Sequence, residues 1–203
     1  MQTTTRLEAL NTMLSILGET PVNTLDTNTT VEGQIAIQIL DTTFREVQST
    51  GWNFNTEYNY EFTPNSDKFV VLPGNTLKMD VEPGQYTSGD IVQRGTRMYD
   101  RKNHTYEIDA TTIKATIVTG LAWDEAPEPV RYYTVIRAGR ILQDRLVGSG
   151  DHHSFTMIEE NAALMSLRNW EAESQDASVF DNWDVYRVIE RTGAPIIGPV
   201  NLE

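Results

Sequence analysis

Residues 52–62 read WNFNTEYNYEF. Trp52, Phe54, Tyr58, Tyr60 and Phe62 fall on alternate positions, with Thr56 between them, which is the period of a half-buried β-strand. This alternation interrupts a helical pattern that flanks it on both sides. Upstream, Leu7, Leu10, Leu14 and Leu17 recur at the spacing of one helix face. They predict a helix from Thr5 to Leu17, ended by a left-handed Gly18 with Pro21 beyond it. A second helix is predicted from Val31 to Thr50, where Ile37, Leu40, Phe44 and Val47 repeat the spacing. Thr29 and Glu32 stand at the separation of a capping box, and Gly51 marks the stop.

Downstream of the aromatic stretch come short apolar runs: Phe69 to Leu72, Ile91–Val92, Met98–Tyr99 and Ile113 to Val118. Pro73-Gly74, Pro83-Gly84, Gly89-Asp90 and Gly95 separate them as turns, which predicts a small antiparallel sheet or barrel. Helical period then returns. Pro127 and Pro129 suit a helix start, and Asp124, Glu125 and Glu128 bring negative charge to its positive end. Tyr132, Val135, Leu142 and Leu146 mark one face, interrupted by Gly139. A last helix is predicted from Ser154 to Val179, with Ile158, Ala162 and Met165 on one face and Ala163, Leu167 and Trp170 beside it. The closing RTGAPIIGPVNLE excludes a continuous helix through its prolines and glycines. The expected fold is α+β. A bundle of about four helices, from residues 1–51 and 126–180, carries an inserted small antiparallel β domain (52–125) and an extended C-terminal arm (181–203).

The chain has 203 residues, enough for a real core, and no cysteine, so neither disulfides nor Cys-ligated zinc enter. MQTTTRLEAL has no basic stretch followed by an apolar core, so no signal peptide is expected. No apolar run reaches the roughly 18 residues of a membrane span. The 29 carboxylates outweigh 16 Lys and Arg to give a net charge of −13. Such a surface repels phosphates, which excludes a protein that grips DNA but not one that surrounds it.

Motifs for chemistry are sparse. Nothing matches a phosphate-cradling glycine loop or a nucleophile elbow. Asp151-His152-His153, with Glu159 and Glu160 nearby, lacks the spacing of a metal site and reads as a polar loop; no metal and no cofactor are expected. Asp124, Glu125 and Glu128 would serve glycoside hydrolysis only if two carboxyls flanked a sugar cleft. The solvated start of a helix explains them equally. The aromatics of residues 52–62 are either a stacking platform for sugars or bases, or the buried face of a strand, the commoner case. The class favoured is a non-enzymatic structural and interaction protein; the alternatives are a polysaccharide hydrolase and a glycan-binding module.

Arginine is unevenly placed. Arg131, Arg137, Arg140 and Arg145 lie in one helical stretch, and Arg94, Arg97, Arg101 and Lys102 form a second group. Together they are half of the 16 basic residues. Two readings are open: pairing with acids of the same chain, or forks aimed at carboxylates of a neighbouring subunit. The four helical arginines are candidate subunit-interface residues on the second reading. Ile196 and Ile197 of the apolar arm are candidates too.

Several of these residues carry a family resemblance. The stretch NTMLSILGETPVNTL (11–25) resembles the first helix and turn of the tail tubular protein A family of short-tailed bacteriophages, the gatekeeper or head-to-tail adaptor. Ile39-Leu40, Gln48, Gly51-Trp52 and Phe54-Asn55 are similar to the next family segment, and Tyr99-Asp100-Arg101 to a short element of the β region. Asp124-Glu125-Ala126-Pro127-Glu128, then Arg131-Tyr132-Tyr133, Ala138, Arg140, Arg145 and Gly148, resemble a third pattern. Between Tyr60 and Ile91, and over about the last twenty residues, the chain departs from the family. The resemblance implies a homo-oligomeric ring of roughly twelve copies in the virion, assembled in the host cytoplasm. The ring would join the portal protein to the tail nozzle (tubular protein B), with tail fibres docking nearby. Genomic DNA would pass through the lumen without specific binding, and no membrane would be involved.

Overall fold

A computed structural model describes residues 3–25, 30–82, 84, 86, 89–148 and 150–174, with residues 150–155 in backbone alone. The predicted C-terminal arm (181–203), with Ile196 and Ile197, and the last turn of the final predicted helix lie outside the described residues. So do Thr29, Pro83 and the side chains of His152 and His153.

The first helix, α1 (Arg6–Ile16), begins in a capping box: the Thr5 hydroxyl accepts from Glu8 N, and Glu8 Oε2 accepts from Thr5 N at 2.7 Å. Leu17 closes it, and Gly18 follows at φ 74°. Ala9, Leu10, Met13 and Leu14 form its buried face, so the stripe is rotated from the leucine row, with Leu7 and Leu17 at its margins. Helix α2 (Val31–Ser49) is capped by Thr30, whose hydroxyl accepts from Gly33 N. The observed cap is thus one residue past the expected Thr29.

At the end of α2 the chain turns at Gly51 and makes a single 3₁₀ turn, Asn53–Asn55, where the aromatic alternation predicts strand. The Trp52 indole donates to Val47 O, and its ring packs with Val130, Tyr133, Ala163 and Leu167 in a helical core. Phe54 stacks obliquely against Trp170, centroids 6.4 Å apart. The buried-strand reading of these aromatics is therefore corrected: two of the five, Trp52 and Phe54, belong to the helices. Strand β1 (Thr56–Phe62) begins only afterwards, and a bulge divides it where Asn59 adopts φ 55°. The extra residue breaks the alternation. Phe62 is buried in the sheet core, Tyr60 rests against it, and Tyr58 is 64% exposed.

The other strands are β2 (Thr76–Val81), β3 (Ile91–Arg94), β4 (Arg97–Asp100) and β5 (Ile113–Thr119). β5 lies central in an antiparallel sheet of order β1-β5-β2, and β3 and β4 make a separate hairpin. Their shared core includes Val70, Leu72, Met79, Met98, Ile113 and Ile117. β2 escaped the sequence reading because TLKMDV mixes apolar with charged residues; Met79 alone is fully turned inward. The run from Phe69 to Leu72 forms no named strand, but Val71 bridges Arg97.

Two side chains join the sheet to the helices. Asn55 Nδ2 donates to Gln48 O and Thr119 O, and the Gln48 amide exchanges hydrogen bonds with both backbone groups of Leu121. A second 3₁₀ turn, Trp123–Glu125, leads into α3 (Glu128–Leu146), and a short connection into α4 (Gly150–Ser174). α3 packs against α1, α2 and α4, so its buried arc is wide, running from Val130 through Tyr133, Thr134 and Ala138 to Leu142. The expected face of Tyr132, Val135, Leu142 and Leu146 is half right: Tyr132 and Leu146 point to solvent. On α4 the buried residues with described side chains are Glu160, Ala163 and Leu167, and the row Ile158, Ala162, Met165 faces outward.

Helices α1 and α3 pack closely at Gly139, where a Cβ would stand 2.5 Å from Ile16 Cδ1. Gly139→Val is expected to lower the unfolding free energy by about 1–3 kcal/mol through overpacking. Gly139→Ala should cost less, because a helical gain of about 1 kcal/mol offsets the displaced Ile16 tip. Urea denaturation of the two variants measures the difference, and equal stability would mean that α1 and α3 are not in close contact there.

Candidate interaction surface

Arg131 is buried where the chain returns from sheet to helix. Its Nε donates to Ala126 O at 2.8 Å, Nη1 to Thr4 O at 3.0 Å and Nη2 to Asp124 O at 2.8 Å. The Trp123 indole donates to the same Thr4 carbonyl at 2.9 Å. Thr4 answers through its N–H to Glu128 Oε2 at 2.8 Å, and through its hydroxyl to Glu128 Oε1. Glu125 accepts from Ala122 N at 3.0 Å. Glu125 and Glu128 thus hold backbone and side-chain donors of their own chain, and the acidic run 124–128 is a structural knot.

Further along α3, Arg137 and Arg140 converge on Glu160 of α4. Arg137 Nη1 lies 2.9 Å from Glu160 Oε1, and Arg140 Nε donates to Glu160 Oε2. Arg137 Nη2 also reaches Glu46 of α2 at 2.7 Å, and Arg140 Nη1 reaches Asp144 at 2.9 Å. Burial pulls the Arg137 pKa down, but Tyr133, Glu46 and Glu160 outweigh burial and hold it above the ordinary arginine value. Arg131, Arg137 and Arg140 therefore have partners within the chain. Arg145 is exposed, with no ion pair or hydrogen bond among the described residues. Glu160 had only a proximity to histidines to recommend it in the sequence. Its usable signal is position: Ala163 and Leu167 follow at +3 and +7 on the buried face.

The second basic group divides. Arg101 pairs with Asp90 at 2.5 Å. The Arg94 guanidinium carbon lies 3.6 Å from the centroid of the Tyr99 ring, and that of Arg97 lies 5.5 Å from Phe69. Behind them Asp100 is fully buried and organises the following turn. Its Oδ1 accepts from the N–H groups of Lys102, Asn103 and Asp90, and its Oδ2 from the Asn103 amide at 2.7 Å. Gly89 leaves room for this carboxylate; a Cβ there would lie 2.1 Å from Oδ2. Burial pushes the Asp100 pKa up, but the Asn103, Asp90 and Lys102 donors prevail and hold it below the usual aspartate range.

The exposed apolar residues gather on the last helix, where Met157, Ile158 and Met165 are each more than half exposed. Tyr58 and Tyr132 add exposed aromatic surface. An open groove of about 560 Å³ between helices and sheet is lined by Arg6, Asp41, Arg45, Gln48, Asn75 and Trp123 among others. Arg6 is clamped to Asp41 by two hydrogen bonds of 2.6 and 2.7 Å. Among the described residues no group of three His, Asp or Glu is arranged to hold a metal, and no helix is long and apolar enough to cross a membrane.

Two outcomes follow for stability. Glu160→Ala leaves two largely buried guanidinium groups without their shared acceptor and should cost about 3 kcal/mol; denaturant melts of this variant near wild-type stability would show that the clasp contributes little. Asp100, depressed in the folded state, stabilises fully above the unfolded aspartate value of about 3.9. Its contribution is lost as pH falls through the lower folded value. Asp100→Asn should therefore be destabilised at neutral pH and lose less stability than the parent between about pH 4 and pH 2, as read by melts across that range.

The sequence profile of the tail tubular protein family matches residues 7–177. No curated protein matches the chain. The match spans α1 to α4 and includes the Arg131 knot, the Glu160 clasp and the Asp100 turn. The family implies a non-enzymatic role, in which the chain assembles with other virion proteins. The chain belongs to the tail tubular protein family and is a structural protein of the bacteriophage tail.

Proposed function

We propose that this protein forms a closed ring of roughly twelve copies joining the portal to the tail nozzle of a short-tailed phage, lining the DNA passage and helping to anchor tail fibres. A head-to-tail interface is required, because only that type closes a ring of this order. The observation that carries the reading is the outward apolar row Met157, Ile158 and Met165 on α4 of a family member whose Arg131, Arg137 and Arg140 are spent internally. An apolar row left in water suits burial against another subunit. Arg145, with Ile196 and Ile197 of the C-terminal segment, is the part of the sequence-derived interface set that we assign to the neighbour. Arg131, Arg137 and Arg140 support that surface indirectly, by fixing α3 and α4.

The net charge of −13 per chain supports a lumen that DNA slides through. Negative-stain images of the purified protein, alone and mixed with the portal protein of the same phage, test the assembly. Closed rings are expected in at least the mixture, and monomers in both samples would sink the reading. In gel-shift titrations duplex DNA should stay unbound at physiological salt, whereas micromolar, salt-sensitive binding would contradict the sliding wall.

A further inference from the structure

The tip of the β3–β4 hairpin carries an electrostatic arrangement with no return inside the chain. Arg94 and Arg97 are directly paired across the two strands, so their side chains leave the same face. Like charges in that relation destabilise a hairpin. Among the described residues neither arginine has a carboxylate partner: Asp90, just before β3, is taken by Arg101, and Asp100, at the end of β4, is buried and filled by donors of its own turn. Both are exposed. Neither is loose, however. Arg94 lies over Tyr99, itself edge-on to Tyr106 at 4.8 Å, and Arg97 lies over Phe69. A guanidinium laid on a ring spends its π-face and keeps its in-plane N–H groups free. Those groups form the fork that suits a carboxylate. The tip therefore presents two pre-positioned anion forks on a chain that is otherwise strongly acidic.

We infer that the Arg94–Arg97 hairpin tip is a docking element for carboxylates on a second copy of this chain. Charge complementarity selects the partner. With 29 acidic against 16 basic residues, every other copy offers an excess of carboxylate, while that same excess repels nucleic acid. This inference rests on the ring reading above and names one of its contacts.

The test uses the full chain and the double variant Arg94→Glu with Arg97→Glu, beside Arg94→Gln with Arg97→Gln, which removes charge without reversing it. Circular dichroism should show both folded, since both positions are exposed and carry no ion pair among the described residues; the Gln variant alone removes the like-charge repulsion across the strands, and the Glu variant replaces it with another. Self-association, measured by sedimentation velocity with and without portal protein, should weaken at least tenfold in the Glu variant and less in the Gln variant. Wild-type association should also weaken as salt rises from low to high. Rings that form equally well in both variants overturn the contact and leave the ring reading standing. A wild-type chain that stays monomeric in every sample overturns both. Duplex DNA bound by wild type and released in the Glu variant makes phosphate the ligand and overturns the contact with a second copy.

Discussion

Arg131 donates from its Nε and both terminal nitrogens to main-chain oxygens of Thr4, Asp124 and Ala126. None of those three carbonyls lies inside an α-helix or strand; Thr4 O also accepts from the Trp123 indole, and those of Asp124 and Ala126 would otherwise need water. One buried cation satisfies them all, and its charge is balanced by oriented carbonyl dipoles rather than by a carboxylate. A lysine could not reach three directions at once with planar geometry. The start of α3 is set by this knot, and α1, α2 and α4 all pack on α3. The segment before α1 is held by the same atoms. The helical body is therefore closed where the β excursion ends, which is how residues 50–127 are spliced between α2 and α3 without loosening either.

Much of this was legible in the sequence because period reports burial. The existence and order of all four helices, Gly18 and Gly51 as stops, and the mainly antiparallel β region follow from spacing and turn residues alone. Failure came where another force overrode the period. The aromatics of 52–62 keep a strand's spacing, yet Trp52 and Phe54 are claimed by the helical core and the Asn59 bulge turns Tyr58 outward. The α3 face was misjudged because a helix with neighbours on several sides buries a broad arc, and a four-residue stripe cannot describe it. β2 was invisible because its exposed side is as polar as a loop. For the arginines, composition revealed the cluster but not its destination. Whether Arg137 meets an acid of its own chain depends on Glu46 and Glu160, which are distant in sequence and adjacent only after folding.

The charges of the molecule fall into two groups with different physics. Glu160, Arg137, Arg140, Asp100 and Arg131 are buried or nearly so, each met by several hydrogen-bonding partners. Such groups fix geometry more than they add stability. Most of the other described acids are exposed and contribute chiefly to the field around the chain. That separation suits a tail component: its internal shape is held by short-range contacts that salt barely screens, while its surface potential remains free to act on what passes or docks.

The bulge at Asn59 has a consequence beyond the placement of one tyrosine. β1 is an edge strand, pairing with β5 on one side only. An edge of this length, straight and apolar, would template the addition of further strands from other molecules. The bulge bends it, and Glu57 and Glu61 place negative charge on either side of the bend. A structural protein of the phage tail, packed among other virion proteins, needs its contacts to stop at a fixed number. Blunting this edge leaves recognition along it to side chains, whose geometry can close on itself, and separates ordered assembly from fibre growth.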